Sequence, residues 1–322
     1  MQILKSRAVV AISFCMSTFA FSSALACSSC GCTLTTDWAA QGFGSVVPGF
    51  RMDFRFDYLD QNQLRSGTKA VDRGSLATPN DREIQQRTRN LNYSVFLDYT
   101  ANADWGVNVQ IPYFDRYHTT IAPGDTDIST SHTRSIGDVR VVGRYQGLSP
   151  DHSIGLQLGI KLPTGGIHNT FVDGPQAGQP LDRGLQPGTG TTDLLVGAYK
   201  FGAINRDWDY FALGLLQLPM NSKEDFKPGT GVNLNVGVQY VSFESWTPRL
   251  QINTRIEKRD SGAQADIPNS GATLVYLSPG ATFHLTHTTH AYAFVQLPIY
   301  QRVNGLQIEP RYTTSVGVRI EF

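Results

Sequence analysis

The sequence predicts an all-β protein, a transmembrane antiparallel up-and-down β-barrel of about 12 strands. Three observations carry this expectation. Segments of about ten residues alternate large apolar with polar or small side chains, the length and period of a tilted membrane-spanning strand. Short turns and long polar loops alternate between them, as in outer-membrane barrels. The terminal stretch puts Tyr312, Thr314, Val316, Val318, Ile320 and Phe322 on one face and Thr313, Ser315, Gly317, Arg319 and Glu321 on the other. A soluble edge strand this apolar invites aggregation, whereas a sheet closed on itself has no edge.

Composition narrows the function classes. The 322 residues carry 27 Lys+Arg against 27 Asp+Glu, a net charge of zero, so there is no basic excess for nucleic acid. No apolar run reaches the roughly 18 residues of a membrane-spanning helix. At the beginning, Lys5 and Arg7, the apolar stretch from Ala8 to Phe21 and the Ala24-Leu25-Ala26 site read as a secretory signal peptide. The organisation expected is a signal peptide over 1–26, a periplasmic Cys-containing segment over 27–49 and an outer-membrane barrel over 50–322.

Export places Cys27, Cys30 and Cys32 in an oxidising compartment. C-x-x-C-x-C can close a small disulfide loop, serve thiol exchange, or hold a soft ion such as Cu or Zn. A lipidated Cys27 is a further alternative. These stay open on the residues alone. A periplasm-facing metal-binding or thiol-redox barrel is therefore the alternative to a channel.

Taken in order, Met52, Phe54, Phe56 and Tyr58 alternate with Arg51, Asp53, Arg55 and Asp57, a first strand. The polar stretch from Asp60 to Gln86 reads as a loop. Strands around Leu91 to Tyr99 and Trp105 to Tyr113 follow, joined by a tight turn at Ala101 to Asp104. The fourth sets Val139, Val141 and Tyr145 against Asp138, Arg140, Val142 and Arg144. The fifth sets Ile154, Leu156, Leu158 and Ile160 against Gly155, Gln157, Gly159 and Lys161. Pro163 to Gly190 is the longest loop. Strands near 193–201, 210–218, 232–240 and 250–257 come next. The tenth, near Thr273 to Leu285, carries Pro279, which predicts a bend or bulge. Ala291 to Tyr300 makes the eleventh and the terminal stretch the twelfth. An even number leaves both termini in the periplasm.

Four strands share a polar-aliphatic-proline step: Gln110-Ile111-Pro112, Lys161-Leu162-Pro163, Gln217-Leu218-Pro219 and Gln296-Leu297-Pro298. Each proline is expected to end pairing there, because it lacks the ladder donor. With this register the lumen is expected to carry Arg51, Asp53, Arg55, Asp57, Gln110, Asp138, Arg140, Arg144, Lys161, Gln217, Arg255, Glu257, Gln296, Arg319 and Glu321. First and last strands meet at closure, so Arg51 to Asp57 should pair with Arg319 and Glu321 and narrow the bore. Phe96, Phe114, Phe211, Leu213, Leu215, Tyr292, Phe294 and Tyr300 also turn inward. They either pack against the N-terminal segment or form a track for apolar solutes.

Ile136-Gly-Asp-Val139, Lys161-Leu-Pro-Thr-Gly165 and Gly188-Thr-Gly-Thr-Thr-Asp-Leu194 resemble the outer-membrane family named for the meta-pathway of phenol degradation. That family is related to the long-chain fatty-acid transporter barrels, and the resemblance spans about Arg51 to Phe322. It implies a barrel in the bacterial outer membrane that passes small, often hydrophobic or aromatic solutes, without catalytic chemistry. The partners expected are outer-membrane lipid, a small-molecule solute, and the barrel-assembly machinery through the strand ending at Phe322. The Cys27-Cys30-Cys32 head lies outside the pattern. The seven histidines, placed mainly in loops and turns, form no Ser/His site on a lipid-facing strand, and His284, His287 and His290 cluster at a short turn.

Overall fold

The computed structural model describes residues 47–322, so the signal peptide, Cys27, Cys30, Cys32 and nearly all of the 27–49 segment lie outside the described residues. The regular structure of the described residues is almost entirely strand: β1 Gly49–Gly67, β2 Lys69–Ala70, β3 Ile84–Thr100, β4 Trp105–Ile121, β5 Ser129–Ile136, β6 Arg140–Tyr145, β7 Ile154–Lys161, β8 Asp193–Ala203, β9 Trp208–Pro219, β10 Gly231–Tyr240, β11 Trp246–Glu257, β12 Ala272–His284 and β13 Thr289–Glu321. Neighbours pair in chain order, all antiparallel, and β13 returns to β1 to close the ring. The fold is a closed antiparallel barrel.

Two irregularities reconcile the labels with the staves of the wall. β5 and β6 follow one another along the same side of β4, so together they make one stave. β13 is one run of extended residues that turns back at Asn304-Gly305, where Gly305 adopts φ +61°. Its first half pairs with β12 and its second with β1. The halves also meet each other, Gln301 Nε2 donating to Pro310 O at 3.0 Å, and Glu321 N donates to Thr288 O, in the turn just before β13, at 2.8 Å. Without the short β2, twelve staves form the ring.

The wall sorts side chains by parity. Along β7, Gly155, Gln157 and Lys161 are buried while Leu156, Leu158 and Ile160 are exposed, Leu158 by 64%. Phe54, Val236, Val316 and Val318 face outward in the same way. Exposed aliphatic rows of this extent are what hydrocarbon selects. At the short-turn end the outer surface carries a chain of rings, Trp208–Tyr240–Phe243–Trp246–Phe283, at centroid spacings of 5.2, 4.8, 5.2 and 6.3 Å. Aromatic belts of this kind sit at the headgroup level.

The structure departs from the sequence expectation where strands outrun the bilayer. β1 has 19 residues and β3 and β4 have 17 each, against roughly 9–11 needed to cross. The stretch expected as a loop from Asp60 is wall up to Gly67, and β5 was not anticipated. These projecting halves carry few lipid-facing residues, so their polar alternation gives no membrane signal. They form a sleeve that encloses an apolar cluster, in which Leu64, Ile84, Leu306 and Ile308 pack with Phe171, Leu181 and Leu185 of the β7–β8 loop.

The prolines also behave otherwise than expected. Pro163 and Pro219 stand at strand ends, but Pro112 and Pro298 lie inside β4 and β13. Each marks a break in one ladder rather than the end of a strand. Beside Pro112 the partner of β4 changes from β6 to β5, and regular pairing is interrupted over 137–139, where Gly137 N still donates to Pro112 O and Val139 O accepts from Leu162 N. Beside Pro298 the register slips, with Val275 opposite Tyr300 but Tyr276 opposite Pro298. That bulge inverts parity, so Tyr300 faces outward at 44% exposure rather than into the lumen. At Pro279 the register is unchanged between Leu277–Leu297 and Gly280–Phe294, and the bulge expected there stands at Val275–Tyr276 instead.

Leu158→Arg should lower folding stability in phospholipid vesicles by about 2–4 kcal/mol, the penalty for a cation at the midplane of a barrel's lipid face. Equilibrium unfolding checks this, and an unchanged midpoint would contradict the membrane placement of β7. A second expectation concerns Asp266, in the β11–β12 loop. Burial, reinforced by Glu83, pushes its carboxyl up to about 6 despite hydrogen bonds from Asn269. A raised folded value favours the protonated form, so its stabilisation is complete below about pH 4 and lost as pH rises through about 6. Proteolysis of residues 258–271 should accelerate across that interval, and Asp266→Asn should flatten the dependence.

Candidate functional site: the barrel interior

The interior is built by the inward parity set and by the β7–β8 loop, residues 162–192, which folds into the bore. Three groups of contacts hold the loop. Arg116 NH1 donates to Leu185 O at 2.6 Å. Asp138 accepts from Gly165 N at 3.1 Å, from Thr189 N at 3.0 Å and from Thr189 Oγ1 at 2.9 Å. Thr164 Oγ1 donates to Gly137 O at 2.8 Å and accepts from Val139 N at 2.9 Å. The break in the fourth stave thus has a purpose in the packing: Gly137 N still donates to Pro112 O of β4 at 2.9 Å, while Gly137 O, the Asp138 carboxylate and Val139 N are left to bind the loop.

Lys161 stands at the centre of this knot. Its Nζ lies 3.0 Å from both Asp138 Oδ2 and Asp193 Oδ2, and all three side chains are buried. Asp193 further accepts from Thr191 Oγ1 at 2.8 Å and from Gln217 Nε2 at 2.5 Å, and Gln217 Oε1 accepts from Arg140 at 3.4 Å. Gly165 and Gly188 face each other so closely that a Cβ at Gly165 would come within 2.6 Å of Gly188 Cα. The three stretches that carry the family resemblance therefore converge on one place, where loop, broken stave and β7–β8 hairpin are tied together.

Nearer the short turns, buried charges form a lattice. Asp98 pairs with both Arg51 and Arg144, which also reach Thr100. Asp53 accepts from Tyr292 OH at 2.6 Å and faces Arg319 at 3.4 Å. Arg55 donates to Asp57 at 2.9 Å, with Ser315 Oγ on the other carboxylate oxygen at 2.5 Å. Charges taken from water need such partners. The inward rings fit over glycines of neighbouring strands, Phe294 against Gly280 and Phe211 against Gly237, and Arg55 lies 5.1 Å from the Phe96 ring. Glu321 sits at the rim, 3.9 Å from His290.

Between loop and wall lies a cavity of about 170 Å³. Gln110, Asp138, Arg140, Lys161, Gln217, Arg255 and Glu257 of the expected set line it. Arg51, Asp53, Arg55, Asp57, Arg144 and Arg319 belong to the lattice instead, and Gln296 is buried on the inward face of β13. The cavity is also lined by Arg116, Arg183, Asp260, Phe114, Phe226 and Leu215. The sequence reading stops this strand at Tyr113; the alternation from Gln110 through Phe114, carried one step further, reaches Arg116. Arg183 and Phe226 come from loops, where no period points inward. The histidines are also placed differently from expectation: His118, His132, His284 and His290 lie in strands. Among the described residues no group of three or more His, Cys, Asp and Glu is placed to hold a metal ion.

Lys161→Met should leave Asp138 and Asp193 facing each other without a cation, a loss of about 3–5 kcal/mol for one broken buried pair. Denaturant unfolding of the refolded barrel measures it. Lys161→Met combined with Asp193→Asn should recover part of the loss, and additive losses would contradict the pairing.

No protein-family model matches the chain, and neither does any curated protein. Among solved structures it is similar to the COG4313 outer membrane channel from Pseudomonas putida F1, at TM-score 0.63 and 10% identity, covering 89% of this chain and all of that one. The translocator domain of the autotransporter NalP from Neisseria meningitidis is less similar, at TM-score 0.47 and 10% identity over 87% of this chain and 91% of that one. The Pseudomonas putida toluene transporter TodX gives TM-score 0.45 and 10% identity over 90% and 94%. At these identities the likeness is one of fold: this chain has the architecture of bacterial outer-membrane barrels.

Proposed function

We propose that the chain is an outer-membrane channel for small solutes, hydrophobic or aromatic in character, with no catalytic chemistry of its own. The observation that carries this is the cavity of about 170 Å³ between the infolded loop and the polar wall. A barrel serving only as a structural anchor has no need of a chamber lined by mixed charges, amides and rings at its centre. The likeness to the Pseudomonas putida outer-membrane channel supports the reading. In it, the short turns and both ends of the barrel face the periplasm, the strand ending at Phe322 engages the assembly machinery, and lipid covers the exposed apolar rows.

The division of the interior gives each part a role. The inward residues of the lattice, Arg51, Asp53, Arg55, Asp57, Arg144 and Arg319, hold the bore narrow near the short turns. Gln110, Asp138, Arg140, Lys161, Gln217, Arg255 and Glu257 meet the solute in the chamber. Loop 162–192 selects by size, since it occupies the bore and is fixed to the wall at Asp138 and Arg116.

Planar-bilayer recording tests the proposal. The intact barrel should give small, defined conductance steps. Deleting residues 170–182, which removes Phe171 and Leu181 from the sleeve core, should enlarge those steps severalfold while heat-modifiable migration in gels persists. Inserted barrels silent in both forms would defeat the reading.

A further inference from the structure

The projecting sleeve holds a polar cluster that the channel reading does not use. At the outer ends of β3 and β4, Glu83, Gln85, His118 and Thr120 are all buried, none more than 5% exposed. The ladder sets Gln85 opposite Thr120 and Thr88 opposite His118. We infer that Glu83 and His118, with Gln85 and Thr120 beside them, form a binding site for one divalent transition cation of the Zn²⁺ kind. The site lies apart from the chamber and does not depend on the channel reading.

Three observations converge. Glu83 Oε1, Gln85 Oε1, His118 Nε2 and Thr120 Oγ1 are shielded from solvent, and none has a hydrogen-bond partner among the described residues. Buried polar atoms are costly without a partner, and four in one cluster call for a ligand. All four can offer a lone pair, which suits a cation.

The second observation is the charge of Glu83. Its contacts are Gln85 Nε2, 3.3 Å from Oε2, and His118 Nε2, 3.7 Å from Oε1, with no Lys or Arg among the described residues. Arg73 reaches this part of β3 but donates to the carbonyls of Gln85 and Asn62, at 2.8 and 2.9 Å. The 3.7 Å between His118 and Glu83 is too long for a hydrogen bond. Two ligands of one ion, each about 2.1 Å from it and about 120° apart, stand at that separation.

Third, both strong ligands are already oriented. Thr88 Oγ1 lies 2.7 Å from His118 Nδ1 and accepts its proton in the tautomer that leaves the Nε2 lone pair toward Glu83. Two lone pairs then face each other, an arrangement that a cation between them stabilises. Gln85 Nε2 holds the far carboxylate oxygen. Metal-binding imidazoles and carboxylates are commonly fixed by such outer partners. One imidazole with oxygen donors suits Zn²⁺, whereas Ca²⁺ requires more oxygens and gains nothing from the ring.

Calorimetric titration with ZnCl₂ tests the inference on the chelator-treated full chain, with Cys27→Ser, Cys30→Ser and Cys32→Ser removing competing thiols. One Zn²⁺ should bind per barrel, and excess Ca²⁺ should not displace it. Glu83→Gln and His118→Gln should each abolish saturable binding, with gel migration showing that the variants are folded. Thr88→Val removes only the partner of Nδ1 and should weaken binding about 10–100-fold; it decides the matter where a ligand variant fails to fold. His284→Asn with His290→Asn, at the opposite end of the barrel, should leave binding unchanged. Absence of stoichiometric uptake, or affinity unchanged in Glu83→Gln, His118→Gln or Thr88→Val, overturns the inference. Uptake lost in the His284 and His290 variant overturns it too, because the ion then sits elsewhere.

Discussion

A peptide group left unpaired in hydrocarbon costs several kcal/mol, and lipid offers nothing to pair with it. The pairing of β1 with the second half of β13 meets that constraint, because it removes the last two free edges. Closure in turn fixes which residues face inward. Once Asp53 is opposite Arg319 and Arg51 opposite Glu321, the charges that cannot face lipid must find partners within the ring. The lattice of Asp98, Arg51 and Arg144 is the consequence, as is the hydrogen bond from Tyr292 to Asp53.

The second constraint is that a ring of twelve staves encloses a volume that side chains of the wall do not fill. Here the volume is divided. Near the short turns, long basic side chains and rings seated over glycines occupy it. Further out, the chain supplies its own filling by folding the β7–β8 loop inward. That move requires a donor and acceptor surface facing the bore, and the interruption of the fourth stave provides it at Gly137 and Asp138. The missing amide proton of Pro112 makes the interruption inexpensive, since β4 has no donor to lose at that position. The chamber is the space this arrangement leaves over.

Much of this was legible in the residues. Alternation in β1, β7, β10 and the end of β13 specified both face and register, because lipid on one side and polar groups on the other leave a one-residue slip no alternative. Asp53, Arg140, Lys161 and Arg255 could be assigned inward on parity alone. Three features were not legible, for three physical reasons. The sleeve above the membrane has water outside and loop inside, so its strands carry no apolar outer row. The bulge at Ile299 reverses parity locally, and Tyr300 turned outward. Arg183 and Phe226 enter the site from loops that have no period. The resemblance motifs did locate the knot around Asp138, Lys161 and Asp193, although their spacing gives no hint that they meet.

The central claim is that neighbouring residues of one strand lie in different solvents, hydrocarbon for one and the chamber side for the next. Nitroxide labels placed singly along 154–161 and 232–239 in reconstituted vesicles, read for collision with oxygen and with a water-soluble nickel complex, test it most directly. The account predicts an oxygen signal that rises and falls with period two, high at Leu156, Leu158, Leu234 and Val236 and low at Gln157 and Asn235. A flat profile, or nickel access at Leu158 and Val236 equal to that at an exposed loop, would contradict it.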